Sequence, residues 1–203
     1  MQPEPLTVYV VEDDPAVRDS LALMLGLKGR RTAFFADAET FLAAWSAHWT
    51  GCVVADLRLP GASGIELQAE LQRRGGRLPF IIVTAHGDVA AARAAFRADA
   101  VDFLEKPFDH GQLDAAIDHA FSRESHRLRR GVEAGRLALL TAREREVLAA
   151  AARGLHAKEI GRELGISART VEVHKTRIMA KLGVRNVAEL VRFALAGEPP
   201  PAQ

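Results

Sequence analysis

The sequence has one cysteine, Cys52, among 203 residues, no internal repeat, and no stretch of about 18 consecutive apolar side chains. A single thiol can build neither an intrachain disulfide framework nor a metal site made of several thiolates, so Cys52 reads as a buried core residue. Without long apolar runs no membrane-spanning helix is expected. The opening residues Met1, Gln2, Pro3, Glu4 and Pro5 show neither the basic stretch nor the apolar core of an export signal. The expectation is a soluble, cytoplasmic chain with no membrane partner.

An excess of one charge is also missing, since the formal net charge is +1. That balance hides a division. Up to Ser122 the chain carries 11 basic and 17 acidic residues, and after it 16 basic and 9 acidic, which gives −6 against +7. The length suits one medium domain and one small one. Of the two halves, the basic one would attract a polyphosphate partner.

Between residues 6 and 121 short apolar runs alternate with helical patterns, the signature of βα units around a parallel sheet. Strands are predicted over 6–11, 31–35, 52–56, 80–84 and 101–104. Helices are predicted over 15–27, 38–47, 64–73, 89–97 and 112–124. Asp14 is placed to cap the first helix, with Pro15 at its first position, where the missing N–H costs nothing, and Gly29 ends the turn that follows. The fold class is α/β: a doubly wound five-stranded parallel sheet in the flavodoxin-like order 2-1-3-4-5, followed by a small all-α domain.

The predicted boundaries are 1–122 for the first domain, 123–138 for a partly helical linker, 139–197 for the second domain and 198–203 for a disordered tail. In the linker Arg123, Arg127, Arg129 and Arg130 crowd together, and Gly131 and Gly135 are expected to interrupt any helix. Beyond it four helices are predicted, over 142–153, 157–164, 168–182 and 187–196. Thr141 with Glu144 forms a capping box, Gly154 follows the first of these helices, and Gly165, Ile166 and Ser167 give a tight turn whose serine caps the third.

In a doubly wound sheet ligands bind beyond the carboxyl ends of the strands. Glu12 and Asp13 end the first strand, Asp56 the third and Thr84 the fourth, while Lys106 follows the fifth. Singly, each has an ordinary structural explanation. Together they form a set, because carboxylates facing one cleft repel unless a cation lies between them. Mg²⁺ suits such oxygen donors, and without histidine or cysteine zinc does not.

These residues resemble the receiver domain of response regulators over about 7–121. The match comprises Glu12 and Asp13, Asp56 with Pro60 and Gly64 downstream, Thr84 and Ala85, and Lys106, Pro107 and Phe108. The resemblance implies that Asp56 accepts a phosphoryl group from the phosphohistidine of a sensor histidine kinase. Mg²⁺ would be held by Asp13, Asp56, the backbone carbonyl of Arg58 and, through water, Glu12. Lys106 would offset phosphoryl charge, Thr84 and Phe103 would form the switch, and the Lys106–Pro107 peptide would be cis. Glu12 departs from the aspartate found in many receivers, which bears on metal affinity.

In the predicted helix over 168–182, Val171, His174, Ile178 and Leu182 recur at spacings of three and four and form a core-facing stripe, in which His174 reads as a satisfied core histidine. Arg169, Thr170, Glu172, Val173 and Thr176 fall outside the stripe. An exposed valine among polar residues suits a DNA major groove, with Val173 against a thymine methyl and Glu172 accepting from cytosine N4. Lys175, Arg177 and Lys181 flank that face as candidate phosphate contacts.

Residues 140–195, including Leu140, Thr141, Arg143, Glu144, Glu146, Val147 and Leu148 and then the run from Thr170 to Lys175, resemble the LuxR-type helix-turn-helix module. With the run from Thr84 to Asp88, the two modules resemble FixJ-type transcriptional regulators. The resemblance implies a phosphorylation-driven homodimer formed through the fourth helix, fifth strand and fifth helix. It also implies double-stranded DNA read as paired half-sites, transcriptional activation, and contact with RNA polymerase as a further partner. His156 stands where a small polar cap is usual, which weakens that cap by about 1 kcal/mol. Two rival readings fit parts of the sequence: a metal-dependent phosphatase, which would need a general acid beside Asp56 that Leu57 and Arg58 do not supply, and a regulator with a vestigial acid site whose second domain binds protein. On the leading reading the chain is not a multiple-turnover enzyme.

Overall fold

A computed structural model describes residues 6–85 and 89–196; the predicted tail and His86, Gly87 and Asp88 lie outside the described residues. The chain divides into two compact units, Met1–Ser125 and His126–Gln203.

The first unit alternates strands and helices: β1 (Thr7–Val11), α1 (Pro15–Leu27), β2 (Arg31–Phe35), α2 (Ala38–Ala44), β3 (Gly51–Asp56), α3 (Gly64–Arg73), β4 (Phe80–Thr84), α4 (Val89–Arg97), β5 (Asp102–Glu105) and the first part of α5 (His110–Ala138), whose residues from His126 on belong to the second unit. The sheet is parallel throughout, in the order β2-β1-β3-β4-β5. Successive strand residues point to opposite faces, and both faces are covered. On one side Val8, Val10, Cys52, Val54, Ile81 and Val83 meet Leu21 and Leu25 of α1 and Leu113 and Ile117 of α5. On the other, Tyr9, Val11, Val53, Phe80 and Ile82 meet Phe41 of α2 and Leu67 and Leu71 of α3. Gly51 is required where β3 passes β1, because a Cβ there would lie 1.8 Å from the Thr7 carbonyl oxygen, and its φ is +133°.

Several elements differ in extent from the sequence reading; β1 begins at Thr7, one residue later, and β3 at Gly51, one residue earlier. Helix α2 stops at Ala44 rather than 47, because Trp45 turns to an extended ψ of 140°, and Trp45 and Trp49 pack, partly buried, against the core on the α2–α3 side of the sheet. β5 begins at Asp102 and ends at Glu105, one residue later than predicted. Helix α5 runs unbroken to Ala138, past Gly131 and Gly135, which do not interrupt it. No neighbour lies within 4 Å of where a Cβ would stand on either glycine. Each therefore costs the helix only its intrinsic penalty, about 1 kcal/mol relative to alanine, which the surrounding Leu, Arg, Glu and Ala residues absorb.

The second unit contains α6 (Ala142–Ala152), α7 (Ala157–Leu164), α8 (Ala168–Leu182) and α9 (Val187–Ala196). Val147, Leu148, Ile160, Val171, Ile178, Leu182 and Leu190 form its core. The predicted caps are present: Asp14 accepts from the Ala16 N–H, Thr141 and Glu144 close a capping box, and Ser167 accepts from the Thr170 N–H. His156 makes no side-chain cap hydrogen bond, and its own N–H donates to Glu159 at 2.7 Å.

Candidate functional site

Strand register brings the polar residues of the first unit to one edge. Val11 pairs with Ala55, Asp56 with Val83, and Thr84 with Glu105, so Glu12, Asp56, Thr84 and Lys106 emerge at the same carboxyl end. There the Lys106 Nζ donates to Asp56 Oδ2 at 2.6 Å and to Glu12 Oε2 at 2.7 Å. Burial is the largest influence on Glu12 and raises its pKa, helped by the charge of Asp56 and opposed by Lys106. Burial alone would lower the pKa of Lys106, but its bonds to Asp56 and Glu12 outweigh that and leave it raised. One ammonium thus holds two buried carboxylates together.

The surrounding backbone is fixed by contacts that the sequence reading had missed. Arg18, one turn into α1, donates through Nη1 to the carbonyls of Glu12 and Asp13 at 2.7 and 2.8 Å, holding the acidic loop against the helix. No sequence signal marks this role, because both partners are backbone carbonyls. Asp56 Oδ1 accepts from the Arg58 N–H at 2.8 Å. Ser63 and Glu66 close a capping box at the start of α3, readable as serine followed three residues later by glutamate. Gly64 has no room for a side chain, since a Cβ would lie 2.5 Å from the Asp56 carbonyl oxygen.

The other predicted residues differ in exposure. Thr84 is fully buried, whereas Phe103 is half-buried against the cluster on the α2–α3 side of the sheet. The Lys106–Pro107 peptide is cis. Asp13 is exposed. Among the described residues no three His, Cys, Asp or Glu side chains gather closely enough to hold a metal ion, so the expected meeting of three carboxylates in one cleft is not found. The donors present are all oxygen, the type a hard cation takes.

In the second unit, Gly165 caps α7 with φ +66°, and the Ile166 N–H returns to the Gly161 carbonyl at 2.9 Å. A Cβ on Gly161 would lie 2.6 Å from the Ile166 carbonyl oxygen, so glycine permits the tight approach of α7 and α8. Lys158, Arg162, Gly165, Ile166 and Ser167 line an open groove of about 440 Å³ beside the start of α8. On α8, Arg169, Glu172, Val173, Thr176 and Arg177 are exposed and Thr170 is half-buried.

Two residues are placed otherwise than read. Lys175 is buried, only 7 % exposed, and takes the position in the core stripe that had been given to His174; the buried set is Val171, Lys175, Ile178 and Leu182. His174 is half-buried, and its Nδ1 has no hydrogen-bond partner, so it is not the satisfied core histidine expected. Lys181 is turned to Glu144, Nζ to Oε2 2.6 Å.

A lysine-bridged acid pair at the carboxyl edge of a doubly wound sheet, in one chain with a glycine-turned helix pair, is the layout of a signal-receiving regulator that binds DNA. Comparison with known proteins agrees. Residues 8–118 match the response regulator receiver domain, and residues 138–194 match the bacterial regulatory proteins of the luxR family. The chain is 43 % identical over 204 residues to the transcriptional regulatory protein FixJ of Azorhizobium caulinodans, covering 98 % of this chain and 97 % of that one. Among solved structures it is similar to the response regulator StyR, at TM-score 0.73 and 39 % identity over 94 % of this chain and 98 % of that one. It is similar also to full-length FixJ from B. japonicum, at TM-score 0.61 and 40 % identity over 94 % and 96 % of the two chains. The chain belongs to the two-component response regulators with a LuxR-type DNA-binding domain, which are transcription regulators. Among the described residues no helix is long and apolar enough to cross a membrane.

Proposed function

We propose that this regulator is switched by phosphorylation of Asp56 and works in the cytoplasm. An Asp56 carboxylate oxygen attacks the phosphorus of a phosphohistidine on a sensor histidine kinase; the new O–P bond forms as the P–N bond breaks, and the electron pair leaves with the imidazole. The observation that carries this reading is the Lys106 ammonium, 2.6 Å from Asp56, which can follow the charge from carboxylate to phosphoryl oxygen. Mg²⁺ would be held by Asp13, Asp56 and the Arg58 carbonyl, with Glu12 acting through water. When bound, it would neutralise charge on the transferring group.

On this reading the Thr84 hydroxyl turns to the phosphoryl group and Phe103, already half-buried, moves further inward. The altered α4–β5–α5 surface then pairs two receivers, and the homodimer reads paired half-sites on double-stranded DNA. Arg169, Thr170, Glu172, Val173, Thr176 and Arg177 face the groove, and Lys158 and Arg162 lie beside it. Transcriptional activation through RNA polymerase completes the proposal. The test is intact-mass spectrometry after incubation with a small-molecule phosphodonor. A single Mg²⁺-dependent phosphoryl adduct on wild type, missing from Asp56→Asn, is the expected result; no adduct, or one that persists in the variant, overturns it.

A further inference from the structure

Lysine is an unusual occupant of a core stripe. Lys175 shares its side of α8 with Val171, Ile178 and Leu182, and is 7 % exposed where the surface lysines of a small domain are normally solvated. Burying an ammonium without a counter-charge is costly. The aliphatic stem can lie along the core while the head reaches its edge, and there Nζ donates to Glu172 Oε1 at 3.2 Å. Glu172 lies one turn earlier with its side chain 61 % exposed, on the face that carries Val173 and Thr176. A glutamate three residues before a lysine is the favourable order for such a pair.

We propose that Lys175 is a positioning residue for sequence reading, acting through Glu172; the inference rests on α8 being the helix that enters the major groove. A carboxylate on a DNA-facing surface is unfavourable beside phosphates and, left free, samples many rotamers. Held by a charge rooted in the core, Glu172 has one oxygen engaged and the other in a defined direction. That arrangement suits acceptance of a hydrogen bond from an exposed cytosine N4 amine. Lys175 therefore contributes to discrimination at one base position and makes no phosphate contact itself.

The test is selection of bound sequences from a pool of random duplex DNA by the full-length phosphorylated chain, comparing wild type, Lys175→Met, Glu172→Gln and the double variant. Wild type should enrich a half-site with one position that Glu172→Gln relaxes by about tenfold. Lys175→Met should relax the same position, the double variant should match Glu172→Gln alone, and the slope of affinity against salt should not change. Lys175→Gln repeats the test should the methionine variant fail to fold. The proposal is overturned if Lys175 variants weaken all sequences equally with the preference intact, if they reduce the salt slope, or if Glu172→Gln relaxes no position. Failure of wild type to enrich any sequence would instead remove the DNA-reading role of α8 itself.

Discussion

Lys181 on α8 and Glu144 on α6, 37 residues apart in sequence, are joined at 2.6 Å, and Glu144 also accepts the Thr141 N–H at 2.8 Å as part of its capping box. The bond from Lys181, then that from Thr141, lowers the Glu144 pKa from 4.5 to about 2. Because the folded value lies below the unfolded one, the stabilisation is present above about pH 4.5 and is lost as pH falls toward 2. Glu144→Gln should cost about 2 kcal/mol at neutral pH. It should also flatten the acid dependence of unfolding measured by circular dichroism. Tryptophan fluorescence would not report this, because Trp45 and Trp49 both lie in the first unit.

The same bond separates the cations of α8 by role. Arg177 is exposed, whereas Lys181 is held by Glu144 and Lys175 is buried. Arg177→Ala should reduce the slope of log affinity against log salt by about 1, the signature of a lost phosphate contact. Lys181→Met should leave that slope unchanged and lower the stability of the second unit. Equal slope changes in both variants, measured by fluorescence anisotropy on one duplex, would contradict the assignment.

Removing the Lys106 charge should have opposite effects on two ligands of the acid edge. Glu12 and Asp56 would lose their shared ammonium and attract a divalent cation more strongly, by about three- to tenfold in Lys106→Met. Phosphoryl transfer should slow by about a hundredfold, since the charge that follows the phosphoryl oxygen is gone. Calorimetric titration with Mg²⁺ and timed mass spectra measure the two effects. Weaker Mg²⁺ binding in the variant would show that Lys106 organises the site rather than competing for it.

Gly161 should tolerate no larger residue. Gly161→Val places atoms against the Ile166 carbonyl and should destabilise the second unit by more than about 2 kcal/mol. DNA binding would be lost, while adduct formation at Asp56 stays at the wild-type level. Loss of both activities would mean that the two units do not fold independently.

The sequence was most readable where periodicity and chemistry pointed the same way. Each central strand alternates between two buried faces, Asp56 and Thr84 end their strands and Lys106 follows the fifth, so the carboxyl edge could be inferred from strand ends and side-chain chemistry together. Arg18 was less visible because its partners are backbone carbonyls, which carry no sequence signature. Lys175 was misplaced because its residue type outweighed its position: spacings of four, three and four from Val171 through Ile178 to Leu182 put it in the core, yet a lysine reads as surface. The length of α5 was underestimated for a related reason, since glycine marks a break only where the backbone leaves helical geometry or the local helix propensity is already poor. The Lys181–Glu144 bond spans too much sequence to be seen without the fold.

Cys52 sits fully buried in β3, where desolvation pushes its thiol pKa well above the ordinary range. A thiol that stays protonated and shielded does not react with maleimides or other alkylating probes under native conditions. The natural chain is therefore already silent toward thiol labelling, and a cysteine introduced at an exposed position of α4 or α8 would carry a dye or spin label at a single place without first replacing a native residue.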